Sequence, residues 1–271
     1  MERPYHILIL LPTLLLPVIP AVAGRHTYHI APWGDDSNPG SEGQPWRHLS
    51  MINSLQPGDT VILHGTFNEY VDIQVSGMPG APIRIVGDNC TIAGWGICRD
   101  GIVIAPGCSH LVVENLRITG FTDYWGLALY GNNTDIRIVG VEVSNCSVGI
   151  HLTAGYSGSP PIWGPVADIH ISNVVVHDNL ICGLDCTPGP AYNVTVEDSI
   201  FHHNGVEGFG ADGIAFESGD NILLRNVTSS WNRGDGVDLC SRNPVLVGPT
   251  ANVTVRECMI AWNSLQGLKL W

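Results

Sequence analysis

Lysine is almost missing from this sequence: its single copy, Lys269, stands in the closing stretch GLKLW. Charge of either sign is sparse, at 14% of residues, and it leans acidic, to a formal −13. Such a chain has nothing with which to neutralise a row of phosphates, which argues against nucleic acid as a partner. An anionic ligand would need a cation between itself and the protein. Long helix-forming stretches are also absent, and no apolar run is long enough to span a bilayer. The nearest candidate, ILILLPTLLLPVI at 7–19, is short and broken by proline. It is followed by Ala21-Val22-Ala23, the small residues at which a signal peptidase cuts. Residues 1–23 are therefore expected to be a signal peptide, with a secreted, extracellular chain starting at Gly24 and no membrane contact after its removal.

What is plentiful is glycine, with 32 copies, and apolar residues, at 44%. This favours one elongated domain over 24–271. The eight cysteines have the spacing of no zinc motif. An oxidising compartment would allow them to pair. Cys186, however, falls on an apolar-facing position, so buried free thiols and disulfides both stay open.

Internal repetition decides the fold class. The segments IHISNVVVHDN, VTVEDSIFHHN, ILLRNVTSSWN and VTVRECMIAWN each open on a β-branched residue (Ile169, Val194, Ile222, Val253) and close on asparagine (Asn179, Asn204, Asn232, Asn263). A short strand of glycine, apolar, any, apolar follows, as GLDC, GIAF, GVDL and GLKL, with earlier copies GLAL and GIHL. Alternation means that each strand buries one face and shows the other. Repeats of roughly 25 to 33 residues built this way suit an all-β, right-handed, single-stranded parallel β-helix. The asparagines would stack as an amide ladder, a structural role. Leucine-rich repeats share the period, but their leucine-dense consensus is missing. Near the N-terminus, PWRHLSMINSLQPGD sets Trp46, Leu49, Ile52 and Leu55 on one face of an expected helix that would cap the first coil. At the other end the chain stops in a strand, which suggests truncation at the C-terminus.

Stacking turns repeat positions into columns. The outward column of the short strands runs Ala128, His151, Asp185, Ala215, Asp238, Lys269, and the one just before the glycine runs Trp125, Val148, Cys182, Asp212, Asp235, Gln266. Three carboxylates, Asp212, Asp235 and Asp238, thus gather on two adjacent coils, with Lys269 over Asp238. Acids held so close repel unless a positive charge lies between them. A hard cation suits them, and Ca2+ tolerates carboxylates that arrive from separate coils. Read singly, each Asp-Gly pair is an ordinary turn and Lys269 a surface ion pair.

These residues resemble the calcium-dependent pectate lyases of polysaccharide lyase family 9 and their β-helical relatives. The likeness is carried by ADGIAF, RGDGVDL and GLKL in that order, and the N-terminal HIAPWGDDSNPGSEGQPW and LQPGDTVILHGTFNE resemble the same group. The resemblance implies that Asp212, Asp235 and Asp238 ligate calcium and that Lys269 is the general base of a β-elimination on a polyuronate. An acidic polysaccharide would be the partner and the monomer the working unit. The family tends to carry one more aspartate where this chain has Gly234. Calcium on the uronate carboxylate would acidify the C5 proton, and a lysine base must be neutral to take it. Alkaline, calcium-dependent activity is the expectation.

Inverting hydrolysis would need paired acids, and the only consecutive aspartates, Asp35 and Asp36, lie in the N-terminal segment. A non-catalytic β-helix, either a carbohydrate-binding or cell-surface module or an inactive lyase fragment, remains the alternative. Arg233 and Arg242 flank the acidic strand and could clamp a substrate carboxylate. Trp231 and Trp262 share a repeat position, where packing at a corner is favoured over a sugar platform. His151, His170, His177, His202 and His203 fall in different repeat positions, which speaks against a metal site. Sequons at Asn132, Asn145, Asn193, Asn226 and Asn252 follow from the repeat composition.

Overall fold

A computed structural model describes residues 25–153, 164–187, 189–206, 211–240 and 249–270. The expected signal peptide lies outside them. The chain winds as a right-handed parallel β-solenoid of about seven turns. One side is an eight-stranded sheet of Val71–Ile73, Ile102–Ile104, Trp125–Tyr130, Val148–Thr153, Leu184–Cys186, Ile214–Phe216, Val237–Asp238 and Leu268–Lys269. Twelve further strands form the other sheet, whose long members Ala191–His202 and Gly219–Ser230 run on through a corner.

Alternation sets the core. Leu127, Ile150, Leu184, Ile214 and Val237 stack in register and are fully buried. On the other sheet Ile169, Val194, Ile222 and Val253 pair across successive coils. A residue in the left-handed region bends a strand without breaking its ladder, and asparagine and aspartate bear that conformation best among residues with a side chain. Asp168, Asn193, Asn221 and Asn252 stack at one such corner with φ of 56°, 53°, 57° and 49°. The five sequon asparagines all have positive φ and are exposed, so corner geometry accounts for their recurrence.

The asparagine ladder forms. Asn179 Nδ2 donates to Asn204 Oδ1 at 2.9 Å, Asn204 to Asn232 at 3.0 Å and Asn232 to Asn263 at 2.9 Å. It stops at Cys146, whose backbone N–H donates to Asn179 Oδ1.

One expectation changes. The N-terminal segment is a six-residue 3-10 helix, Leu49–Ser54, and a capping α-helix is not what forms. Trp46, Leu49, Ile52 and Leu55 are nonetheless buried in the common core. Within the helix Leu49 and Ile52, three residues apart, share one face at three residues per turn, while Trp46 bridges to Ile30 and Leu55 is the extended C-cap. Cys90, Cys108, Cys146, Cys186 and Cys240 are buried free thiols, Cys258 is an intermediate one and Cys98 an exposed one. Burial pushes the Cys90 and Cys146 thiols up to about 12.

Candidate functional site

The outward column of the eight-stranded sheet is realised residue by residue. Ala128 pairs with His151, His151 with Asp185, Asp185 with Ala215, Ala215 with Asp238, and Asp238 with Lys269. One coil apart, Asp212 and Asp235 enter this sheet through the turns that precede Gly213 and Gly236, whose amides bond to the next coil.

Asp212, Asp235 and Asp238 each offer an oxygen within 4.8 Å of the others, and they are only 4%, 3% and 5% exposed. Each carboxylate is anchored by one oxygen to a backbone N–H. Asp235 donates to Asp212 Oδ1 at 2.7 Å, Gln266 to Asp235 Oδ1 at 2.7 Å, and Cys240 to Asp238 Oδ1 at 2.9 Å. Asp235 and Asp238 turn Oδ2 toward the same ammonium: Lys269 Nζ lies 3.3 Å from the first and 2.7 Å from the second.

The electrostatics follow. Burial, opposed by the Asp235 N–H and reinforced by the charges of Asp238 and Asp235, raises Asp212 to about 6. Lys269 is raised above its usual value, first by its hydrogen bond to Asp238. Among the described residues one ammonium stands against three carboxylates, which leaves them short of positive charge. Anchored hard oxygens with that deficit fit a cation such as Ca2+ in donor chemistry.

Gly234 has a local reason. A Cβ there would sit 2.4 Å from Asp212 Oδ1 and 2.9 Å from the Ala211 carbonyl carbon, so a fourth acid at this position would collide with the anchored oxygen of Asp212.

The remaining sequence candidates scatter. Arg233 is exposed and donates to the Val206 carbonyl at 2.7 Å, on a turn beside the cluster. Arg242 lies outside the described residues. Asp35 caps Ser37, and Asp36 accepts the N–H groups of Arg47 and His48, so both serve the N-terminal turn. Trp231 and Trp262 do not pack into a corner. They stack on each other, centroids 5.3 Å apart, and stay 54% and 61% exposed at φ of 59° and 57°. His177 and His202, expected at different repeat positions, are in register with rings stacked at 5.0 Å.

Two features escaped the sequence reading. Gly101 opens a seventh copy of the strand motif, GIVI, and the sheet continues beyond it to Val71–Ile73, where Tyr70 replaces the glycine. His151, buried against Trp125, has its Nδ1 3.4 Å from Asp185 Oδ2 without hydrogen-bond alignment, a contact that only the column register could have suggested.

No curated protein matches this chain. Among solved structures, pectate lyase Pel9A superposes with a TM-score of 0.59 at 13% identity, covering 89% of this chain and 80% of its own. The GH136 lacto-N-biosidase from Eubacterium ramulus does so with a TM-score of 0.60 at 17% identity, covering 90% of this chain and 52% of its own. At such identities the likeness shows the fold alone. Residues 125–271, more than half the chain, match the model of the family described as "Right handed beta helix region". In agreement with its parallel coils and amide ladder, this chain belongs to the right-handed β-helix family.

Proposed function

We propose that the protein is a secreted, calcium-dependent polysaccharide lyase that cleaves a polyuronate by β-elimination. The observation that carries this reading is the cluster itself: three buried carboxylates within 4.8 Å and one ammonium 2.7 Å from Asp238. Asp212, Asp235 and Asp238 would hold the calcium. The bound ion would supply the positive charge that neutralises the uronate carboxylate and so acidifies the proton on C5. Lys269 Nζ, on the strand one coil beyond Asp238, would take that proton. For this it must be neutral, and its two aspartates hold it protonated until their charge is answered. Filling the cluster with a cation weakens that hold, so activity should require both calcium and alkaline pH.

The same ion pair favours a second reading. With its amine tied to Asp238 and Asp235, the cluster could serve binding alone, in a non-catalytic glycan-binding β-helix. Product absorbance on polygalacturonate at alkaline pH, with calcium and with chelator, separates the two. Wild type is expected to release unsaturated product only with calcium, and Lys269→Ala to lose about a hundredfold to ten-thousandfold in kcat. Equal rates in both proteins would remove the lyase reading, and calcium binding without turnover would leave the binding module.

A further inference from the structure

A cleft of about 610 Å3 opens on the same outward face of the eight-stranded sheet, away from the acidic cluster. Its floor is apolar. Val103 and Tyr130, which line it, point away from the core and are still buried, forming with Ala128 beneath them a small apolar cluster against which Trp125 packs. Val103 pairs with Ala128, so this floor lies on the column that leads to Asp238. Ala128 and Asp238 are four strands apart, about 19 Å at the spacing of paired strands.

The rim is acidic. Asp72, Asp100 and Asp123 line it with one cation among the described lining residues, Arg99. Arg99 is already engaged, donating to Asp72 Oδ2 at 3.3 Å and lying 4.6 Å over the Tyr70 ring. Asp100 sets the floor by accepting the Trp125 N–H at 3.0 Å and the Tyr130 hydroxyl at 2.8 Å. Tyr124, which stands beside them, is 38% exposed.

Aromatic and aliphatic surface ringed by hydrogen-bond acceptors complements a pyranose, whose C–H face is apolar and whose hydroxyls donate. A uronate would bring its own negative charge against an acidic rim whose one cation is spent. We propose that this cleft binds a neutral sugar unit, seated over Trp125 with its hydroxyls donating to the rim carboxylates. A glycan that also reached the acidic cluster would then be a mixed polymer, with neutral units about four strands from the uronate. Only this last step rests on the lyase reading.

Titration calorimetry tests it in EDTA, where the acidic cluster contributes no metal-dependent binding. The probes are cellotriose, xylotriose and galactotriose, with trigalacturonate as the anionic comparison. At least one neutral trisaccharide is expected to bind, and Trp125→Ala and Asp123→Ala to weaken it about tenfold each. Trp125 also packs on His151, so circular dichroism must show that its variant folds. Asp123 is exposed, and its variant keeps the test alive if the first fails to fold. No binding by any neutral probe up to about 10 mM, unchanged binding by the folded variants, or tighter binding by trigalacturonate would overturn the proposal. None of these outcomes bears on whether polygalacturonate is cleaved with calcium, so the two readings fail separately.

Discussion

Asp212 is the residue on which the acidic cluster puts its electrostatic cost. Its carboxyl is raised to about 6 from an ordinary 3.8, with burial as the largest cause. A carboxyl raised on folding holds its proton more tightly in the folded chain than in the unfolded one. Its stabilising contribution is therefore complete below the unfolded value and is lost as pH climbs through about 6. Asp212→Asn has no charge to lose, and its side-chain oxygen can still accept the Asp235 N–H. In chelator it should be more stable than wild type at pH 8, by about 1 to 3 kcal/mol, and close to wild type at pH 4. Urea unfolding at the two values checks this. A variant that is less stable than wild type at pH 8 would mean that Asp212 is held ionised by something other than a metal. Lys269 does not change the sign: raised in the folded state, its contribution is intact at both values and is lost only at strongly alkaline pH.

At the scale of elements, the ladder and the short strands do different work. Asn204 is 1% exposed and sits mid-ladder, where its Oδ1 accepts from the backbone and side chain of Asn179 and its Nδ2 donates to Asn232 and the Val176 carbonyl. Asn204→Ala strands all of these groups in the core at once. The cost should be about 2 to 5 kcal/mol, against under about 1 kcal/mol for the exposed substitution Asn145→Asp, whose neighbours Thr119 and Ser144 offer hydroxyls that can donate to a carboxylate. Chemical denaturation of the pair gives the comparison, and a small loss in Asn204→Ala would show that water replaces the amide. The repeats made these elements legible in the sequence because each position in a coil has one environment: inward leucines, outward aspartates and ladder asparagines all fell where the register put them. Three things were not legible. Leu49 and Ile52 are three residues apart, which a helical face of either kind accommodates, and only the chain path selects the 3-10 form. The Val71–Ile73 strand lacks the marker glycine. Trp231 and Trp262 carry no pattern that distinguishes a buried corner from an exposed stack, since both place a ring just before the ladder. The site residues could be aligned from the columns, but the anchoring of each carboxylate to a backbone N–H depends on turn geometry that no spacing encodes.

Across the whole molecule, a solenoid touches itself only between neighbouring coils, so a perturbation has no short cut from one end to the other. The acidic cluster joins the coils that carry Ile214–Phe216, Val237–Asp238 and Leu268–Lys269, while Val71–Ile73 stands at the opposite edge of the same sheet. A ligand that binds the folded state stabilises it by mass action, but local opening lets that stabilisation appear only where opening breaks the site. Calcium at the cluster should therefore slow amide exchange most in those three strands, less in Leu184–Cys186, and little in Val71–Ile73 and Ile102–Ile104. Hydrogen exchange read strand by strand, with calcium and with chelator, would show this gradient, and Asp235→Asn should flatten it. Equal slowing in every strand would mean that the coils open together as one cooperative unit. Slowing confined to the strands far from the cluster would place the ion elsewhere and remove the metal ligands named here.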